Sequence, residues 1–134
     1  MTRTILFVDD EPNSTQALRM LLEAEGFRCL SVEDVTAAMG LLRKEPVAVL
    51  VSDIMMPGGD AFPEIDSSEA GFQFVAMVRR EFPALGIICL SVIGDQRKID
   101  KLKRQRVLYL RKGETPLDKA AWLIKSKAEG ITHF

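Results

Sequence analysis

The chain has 134 residues, of which 47% are hydrophobic, and it carries 18 basic against 19 acidic side chains. This length suits one domain with its own core, so we expect a single domain over residues 1–134. The balanced charge excludes a whole-protein field that attracts nucleic acid or anionic lipid, and no apolar run approaches the roughly 20 residues of a membrane span. The amino terminus lacks a signal-peptide pattern, so we expect a cytoplasmic protein without a membrane partner.

Short apolar runs alternate along the chain with segments of helical periodicity. Most of these runs are continuously apolar, which is typical of strands buried on both faces of a sheet. The predicted strands are Thr4–Val8, Arg28–Val32, Val47–Ser52, Gly86–Ser91 and Val107–Leu110. The predicted helices lie at 12–25, 34–45, 71–82, 96–105 and 115–129. Asp34 is placed to cap the second of these helices.

Five β–α pairs of this size predict an α/β fold. We expect a flavodoxin-like, doubly wound sandwich whose five-stranded parallel sheet has the order 2-1-3-4-5. Ligands of such sheets bind beyond the carboxyl ends of the strands. Residues 58–70 depart from this plan, because they are rich in Gly, Pro, Ser and acidic residues and predict an exposed, insertion-like loop.

The reactive residue types restrict the possible chemistry. His133 is the single histidine and lies next to the end of the sequence, which excludes a Ser-His-Asp triad, a Cys-His pair and a multi-histidine zinc site. Cys29 and Cys89 lie within apolar runs and are predicted to be small buried residues. Carboxylates and a lysine must therefore carry any chemistry.

Polar residues follow four of the five predicted strands. Asp9 and Asp10 follow the first strand and Asp53 the third, Ser91 ends the fourth, and Lys112 follows the fifth. Each alone is typical of a turn or a surface charge, but together they predict one pocket. Neighbouring carboxylates repel each other by about 4 kcal/mol per close pair at an effective dielectric of about 20, so they must take up a proton, bind a cation, or both. An oxygen-only site favours Mg²⁺, and lysine and serine donors suit phosphoryl transfer to a carboxylate.

Two segments closely resemble the receiver domains of response regulators. They are Ile5–Pro12 and Val49–Gly58, and the resemblance extends over nearly the whole chain. It implies that Asp9 and Asp10 hold Mg²⁺, and that Asp53 is both a ligand and the phosphoacceptor. The backbone carbonyl of Met55 would be the remaining protein ligand of the metal.

The resemblance also implies a switch and partners. Ser91 matches the hydroxyl that moves toward the phosphoryl group, Lys112 matches the lysine that pairs with it, and Tyr109 matches the aromatic switch residue. The donor would be a sensor histidine kinase or a phosphotransfer protein, and residues 96–129 would bind a second copy or an effector. The domain would catalyse only its own phosphorylation and dephosphorylation, either alone or as part of a longer regulator.

The chain departs from the family at several positions. Seventeen residues separate Asp53 from Gly71, which is a longer spacing than the family usually has. This acidic stretch is either a solvated insertion or a segment that selects the kinase or shields the phosphoryl group. Val92 stands where the family usually has Ala or Gly, and it should narrow access to Asp53. Gly113 replaces a proline and relaxes the chain beside Lys112. The fourth helix is strongly basic, which favours a solvated face or an acidic partner over nucleic acid.

Two other functions remain open from the sequence. One is a receiver-like interaction module that works without phosphorylation, as the unusual Val92, Gly113 and long loop would allow. The other is an aspartate-nucleophile phosphatase of the haloacid dehalogenase type, which is disfavoured because Asp9-Asp10-Glu11-Pro12 lacks the Asp-x-Asp pattern of that family and the chain is short for it.

Overall fold

A computed structural model describes residues 2–54, 67–92 and 96–130 of the chain. Met55, residues 58–66 of the predicted loop, and His133 lie outside these ranges. Within them, none of the helices has the length and apolar character of a membrane span.

The centre of the molecule is a five-stranded parallel sheet with the order β2-β1-β3-β4-β5, which confirms the predicted fold class. The strands are β1 Thr4–Val8, β2 Arg28–Val32, β3 Val49–Ser52, β4 Gly86–Ser91 and β5 Leu108–Arg111. The register pairs Val8 with Ser52 and Ser91 with Arg111. The carboxyl ends of β1, β3, β4 and β5 therefore lie along one edge of the sheet.

Five α-helices connect and follow the strands. They are α1 Gln16–Ala24, α2 Val35–Lys44, α3 Ser67–Glu81, α4 Gln96–Arg104 and α5 Leu117–Ala128. The first predicted helix begins instead with a 3-10 turn at Pro12–Thr15. Asp34 caps α2 as predicted, because its Oδ1 accepts a hydrogen bond of 2.8 Å from the Ala37 backbone N–H.

The start of α3 was predicted wrongly. The helix begins at Ser67, four residues before the predicted start at Gly71, so residues 67–70 belong to α3 and not to the loop. Asp66 followed by Glu69 is a sequence pattern typical of a helix start. The conformational freedom of Gly71 favours the later boundary that the sequence predicts. The predicted insertion therefore ends by residue 66.

The sheet separates two apolar layers, because its inner strands β1, β3 and β4 are largely buried on both faces, whereas the edge strands β2 and β5 are partly exposed. Helices α2, α3 and α4 cover one face, where the core includes Met39, Phe74, Val75 and Leu102. Helices α1 and α5 cover the other, with Leu18, Leu22, Leu123 and Ile124. Cys89 is buried and Cys29 is half-buried, and both are free thiols.

Candidate functional site

Asp9 and Asp53 lie side by side because β1 and β3 are neighbours in register. The Asp53 backbone N–H donates a hydrogen bond of 2.9 Å to the carbonyl of Val8, and the Asp9 N–H bonds the carbonyl of Val32. Each of these bonds extends the pairing of the strands by one residue. Both aspartates are buried, whereas Asp10 is exposed.

Lys112 joins the two buried carboxylates. Its Nζ lies 2.7 Å from Asp9 Oδ2 and 3.0 Å from Asp53 Oδ2. Its backbone N–H donates to the carbonyl of Ser91, which fixes the chain just beyond β5. Burial lowers the pKa of the Lys112 ammonium, but the hydrogen bonds to Asp9 and Asp53 outweigh this effect and the net pKa is raised. The side chain therefore remains a cation at neutral pH.

Gly113 takes a conformation that the family's proline could not adopt. Its φ is +81°, whereas a proline ring holds φ near about −65°. No cis peptide bond occurs within the described ranges. The replacement of proline by Gly113 therefore does not prevent Lys112 from contacting both Asp9 and Asp53.

The three aspartates form a compact oxygen-ligand group. One carboxylate oxygen from each of Asp9, Asp10 and Asp53 lies within 4.8 Å of the others. The pKa of Asp10 is raised, first by partial desolvation of its carboxylate and then by repulsion from Asp9, Asp53 and Glu11. A hard cation would relieve this repulsion, so the residues fit Mg²⁺. Met55, whose backbone carbonyl was a predicted ligand, lies outside the described residues.

Ser91 and Tyr109 meet at the end of β4. The Tyr109 hydroxyl donates a hydrogen bond of 3.2 Å to the Ser91 carbonyl. Burial raises the pKa of this phenol, which keeps it a donor at neutral pH. The Ser91 side chain is fully buried, and its Oγ has no hydrogen-bond partner among the described residues. Leaving a buried hydroxyl unpaired costs about 1–3 kcal/mol, and such groups often mark functional sites.

Three contacts of the site have no counterpart in the sequence predictions. The Ser14 hydroxyl donates to Asp9 Oδ2 at 2.9 Å, and the Glu11 backbone N–H donates to Asp9 Oδ1 at 2.8 Å. The Ser52 hydroxyl donates to the Asp53 carbonyl at 3.0 Å. No sequence signal singled out Ser14, because a serine in the first turn of a helical segment is usually interpreted as a cap.

The site combines acidic ligands, a fixed ammonium and a buried hydroxyl at one edge of the sheet. This arrangement can bind a hard cation and can offer hydrogen-bond donors to an anionic group beside Asp53. The sequence profile of the response regulator receiver domain matches residues 5–118. The chain belongs to this family.

Curated relatives of this receiver domain include a response regulator and the protein PilH. The chain is 31% identical over 121 residues to the response regulator GtcR of Aneurinibacillus migulanus, which covers 90% of the chain and 46% of GtcR. It is 30% identical over 103 residues to the protein PilH of Pseudomonas aeruginosa, which covers 75% of the chain and 77% of PilH. The chain thus spans about half the length of GtcR.

Solved receiver domains share the fold. The superposition on a CheY-like receiver domain of Methanospirillum hungatei has a TM-score of 0.80 at 15% identity, and it covers 97% of this chain and 96% of that one. The superposition on TrrA of Thermotoga maritima, crystallised in complex with Mg²⁺ and BeF, has a TM-score of 0.74 at 23% identity. It covers 94% of this chain and 99% of that one.

Proposed function

We propose that this receiver domain accepts a phosphoryl group on Asp53 in a reaction that depends on Mg²⁺. The observation that carries the proposal is the position of the Asp53 carboxylate, 3.0 Å from Lys112 Nζ and within 4.8 Å of two further carboxylates. The donor would be the phosphohistidine of a sensor histidine kinase or a phosphotransfer protein. The output would be a change in the surface formed by residues 96–129.

Asp9, Asp10 and Asp53 would hold the metal, together with the backbone carbonyl of Met55. Mg²⁺ supplies positive charge that offsets the negative charge of the carboxylates and of the phosphoryl oxygens. The close approach of the three carboxylates supports this assignment, and the pKa of Asp10 is raised first by desolvation and then by repulsion from Asp9 and Asp53. The complex of TrrA with Mg²⁺ and BeF shows that a protein of this fold takes such a ligand pair.

The chemical step is a displacement at phosphorus. An oxygen of the Asp53 carboxylate forms a bond to phosphorus while the bond from phosphorus to the donor's imidazole nitrogen breaks. That nitrogen keeps the electron pair of the broken bond, and the other ring nitrogen carries the proton, so the imidazole leaves as a neutral group. The Lys112 ammonium, held by Asp9 and Asp53, donates hydrogen bonds to the oxygens that carry the charge. Hydrolysis by water then restores the carboxylate and releases inorganic phosphate.

Ser91 and Tyr109 would convert the modification into a change of surface. The unpaired Ser91 hydroxyl has the donor that a phosphoryl oxygen accepts. Tyr109 already bonds the carbonyl of the same residue, so a movement of Ser91 changes the environment of Tyr109 directly. This pair would therefore couple Asp53 to β5 and to the neighbouring helices.

Intact-mass spectrometry after incubation with acetyl phosphate tests the proposal. The wild-type protein should gain one phosphoryl group in Mg²⁺ and none in excess EDTA, and Asp53→Asn should gain none. Asp100→Asn, an exposed acid on α4, is the matched control and should behave like the wild type. A wild-type protein that stays unmodified while a reference receiver is phosphorylated would favour the interaction module that works without phosphorylation.

A further inference from the structure

The segment between β1 and α1 holds both oxygens of the Asp9 carboxylate. The Glu11 backbone N–H donates to Oδ1 at 2.8 Å, and the Ser14 hydroxyl donates to Oδ2 at 2.9 Å. Ser14 belongs to the 3-10 turn Pro12–Thr15, and such turns have poorer hydrogen-bond geometry than an α-helix. The direction in which Asp9 points therefore depends on what keeps this short turn in its conformation.

Arg19, near the start of α1, stabilises the 3-10 turn. Its Nη2 donates a hydrogen bond of 2.9 Å to the Pro12 carbonyl, and its Nε donates one of 3.3 Å to the Thr15 hydroxyl. The Thr15 hydroxyl donates in its turn to the same Pro12 carbonyl at 3.2 Å. These three hydrogen bonds join the first and last residues of the 3-10 turn to one guanidinium.

The Arg19 side chain serves no carboxylate. It takes part in none of the ion pairs that the described residues form. Arg19 is half-buried and Thr15 is buried, so their hydrogen bonds are largely protected from water. The Arg19 carbonyl also accepts a weak hydrogen bond of 3.8 Å from the Cys29 thiol of β2. Arg19 therefore connects the edge of the sheet to the turn that carries Ser14.

We propose that Arg19 and Thr15 are positioning residues that orient Asp9 for Mg²⁺. The inference rests on the function proposed above, since that function assigns Asp9 to the metal. Neither side chain would touch the ion, because both act through the turn that holds the Asp9 oxygens. Without the guanidinium the turn would adopt other conformations for part of the time. The apparent affinity for Mg²⁺ would then fall with the fraction of molecules competent to bind it.

Electrostatics predicts the opposite sign, which makes the test sharp. Replacing Arg19 by methionine removes a positive charge from the neighbourhood of the proposed metal site. This change of charge alone should strengthen the binding of a cation. A loss of affinity for Mg²⁺ in Arg19→Met would therefore report the loss of positioning.

Calorimetric titration with Mg²⁺ measures this effect. Arg19→Met retains the unbranched stem without the donors, and it should bind Mg²⁺ about tenfold more weakly, as is typical when a group that orients a metal ligand is removed. Thr15→Val should also weaken binding, whereas Thr15→Ser keeps the hydroxyl and should bind like the wild type. Arg28→Met is the matched control, because this exposed arginine donates to Glu45.

Hydrogen exchange in the metal-free protein gives a second readout. The Glu11 amide donates to Asp9 Oδ1, so it should exchange faster in Arg19→Met than in the wild type. The amide of Leu50, in the buried centre of the sheet, reports the global stability. A merely structural role of Arg19 would accelerate both amides alike, whereas positioning accelerates the Glu11 amide more.

Two results would overturn the proposal. One is an Arg19→Met protein that binds Mg²⁺ as tightly as the wild type. The other is a Glu11 amide whose exchange accelerates no more than that of Leu50. A wild-type protein that binds no Mg²⁺ would instead contradict the proposed function, and the Glu11 amide would then decide alone whether Arg19 orients Asp9. If Arg19→Met does not fold, the comparison of Thr15→Val with Thr15→Ser replaces it in both measurements.

Discussion

Ser14 orients the Asp9 carboxylate, a proposed ligand of Mg²⁺, from outside the proposed ligand set. Its hydroxyl shares Asp9 Oδ2 with Lys112 Nζ, which lies 3.4 Å from the same hydroxyl. Groups that orient a ligand typically change metal affinity by about 10–100-fold when they are removed. Since Ser14 is exposed, we expect Ser14→Ala to weaken Mg²⁺ binding by about tenfold, at the lower end of that range.

Calorimetric titration with Mg²⁺ measures this effect. Ser14→Thr retains the hydroxyl and should bind the metal like the wild type. Asn13→Ala changes an exposed neighbour whose side chain has no hydrogen bond to Asp9 among the described residues. Equal affinities for wild type and Ser14→Ala would mean that Lys112 and the Glu11 backbone N–H orient Asp9 without help.

Val92 follows Ser91 directly and is 63% exposed at the carboxyl edge of the sheet. A β-branched side chain at this position should hinder the approach of both the phosphodonor and water to Asp53. We expect Val92→Ala to accelerate phosphorylation by acetyl phosphate and also the later hydrolysis. Val92→Thr keeps the branched shape and serves as the control. Rates of Val92→Ala that match those of the wild type would show that access to Asp53 is not limited by this side chain.

Helix α3 approaches the segment after β3, next to Asp53, at a glycine. Gly71 lies within α3, and a Cβ there would overlap the backbone carbonyl of Ile54, the residue after Asp53. Gly40 lies within α2, where an added Cβ meets no atom within 4 Å. Alanine is the better helix former, so Gly40→Ala should stabilise the protein by about 0.5–1 kcal/mol. Gly71→Ala should destabilise it by about 1–3 kcal/mol, because the overlap forces the backbones apart.

Urea unfolding of the two variants measures the change in the free energy of unfolding, which should be positive for Gly40→Ala and negative for Gly71→Ala. Stabilisation by both substitutions would mean that α3 can move away from Ile54 without cost. Destabilisation by Gly71→Ala alone would show that this close approach positions the segment beside Asp53.

The elements predicted from local patterns agree with the structure, and the one large error has a tertiary cause. The strand bounds agree within two residues, because continuous apolar runs mark strands buried on both faces. Gly71 was interpreted as the start of α3, as its conformational freedom suggests. A glycine is instead required at position 71 because the backbone of Ile54 leaves no room for a Cβ there. No pattern within the helix reveals this contact.

The positions of the site residues follow from the topology of the whole sheet. Residues that directly follow parallel strands lie at the same edge of the sheet. The alternation of strand-like and helix-like segments along the chain was therefore enough to place Asp9, Asp53 and Lys112 together. The contact between Ser14 and Asp9 depends on the orientation of a 3-10 turn. A cavity at the opposite edge of the sheet is lined by four chain segments, within residues 42–48, 79–86, 106 and 127–130. Neither leaves a periodic signal in the sequence.

Arg79 holds together several segments at the edge of the sheet opposite Asp53. From the end of α3, its guanidinium donates to Leu85 and Pro83 before β4 and to Gln105 and Arg106 before β5, at 2.7 to 3.1 Å. A lysine cannot reproduce this fork of donors. We expect Arg79→Lys to lower the free energy of unfolding by about 2 kcal/mol, the scale of one or two hydrogen bonds from a charged group.

Arg80 provides the matched control, because it is the exposed neighbour of Arg79 on α3. Arg80→Lys should change the free energy of unfolding by no more than about 0.5 kcal/mol, as is usual for surface positions. Urea unfolding followed by circular dichroism measures both variants. Equal stability of the two would mean that the carbonyls before β4 and β5 are satisfied by water when the guanidinium is absent. A loss of stability in Arg79→Lys alone would instead establish that this one side chain holds the ends of α3 and α4 to the sheet. Arg79 would then stabilise the edge of the domain that is farthest from Asp53.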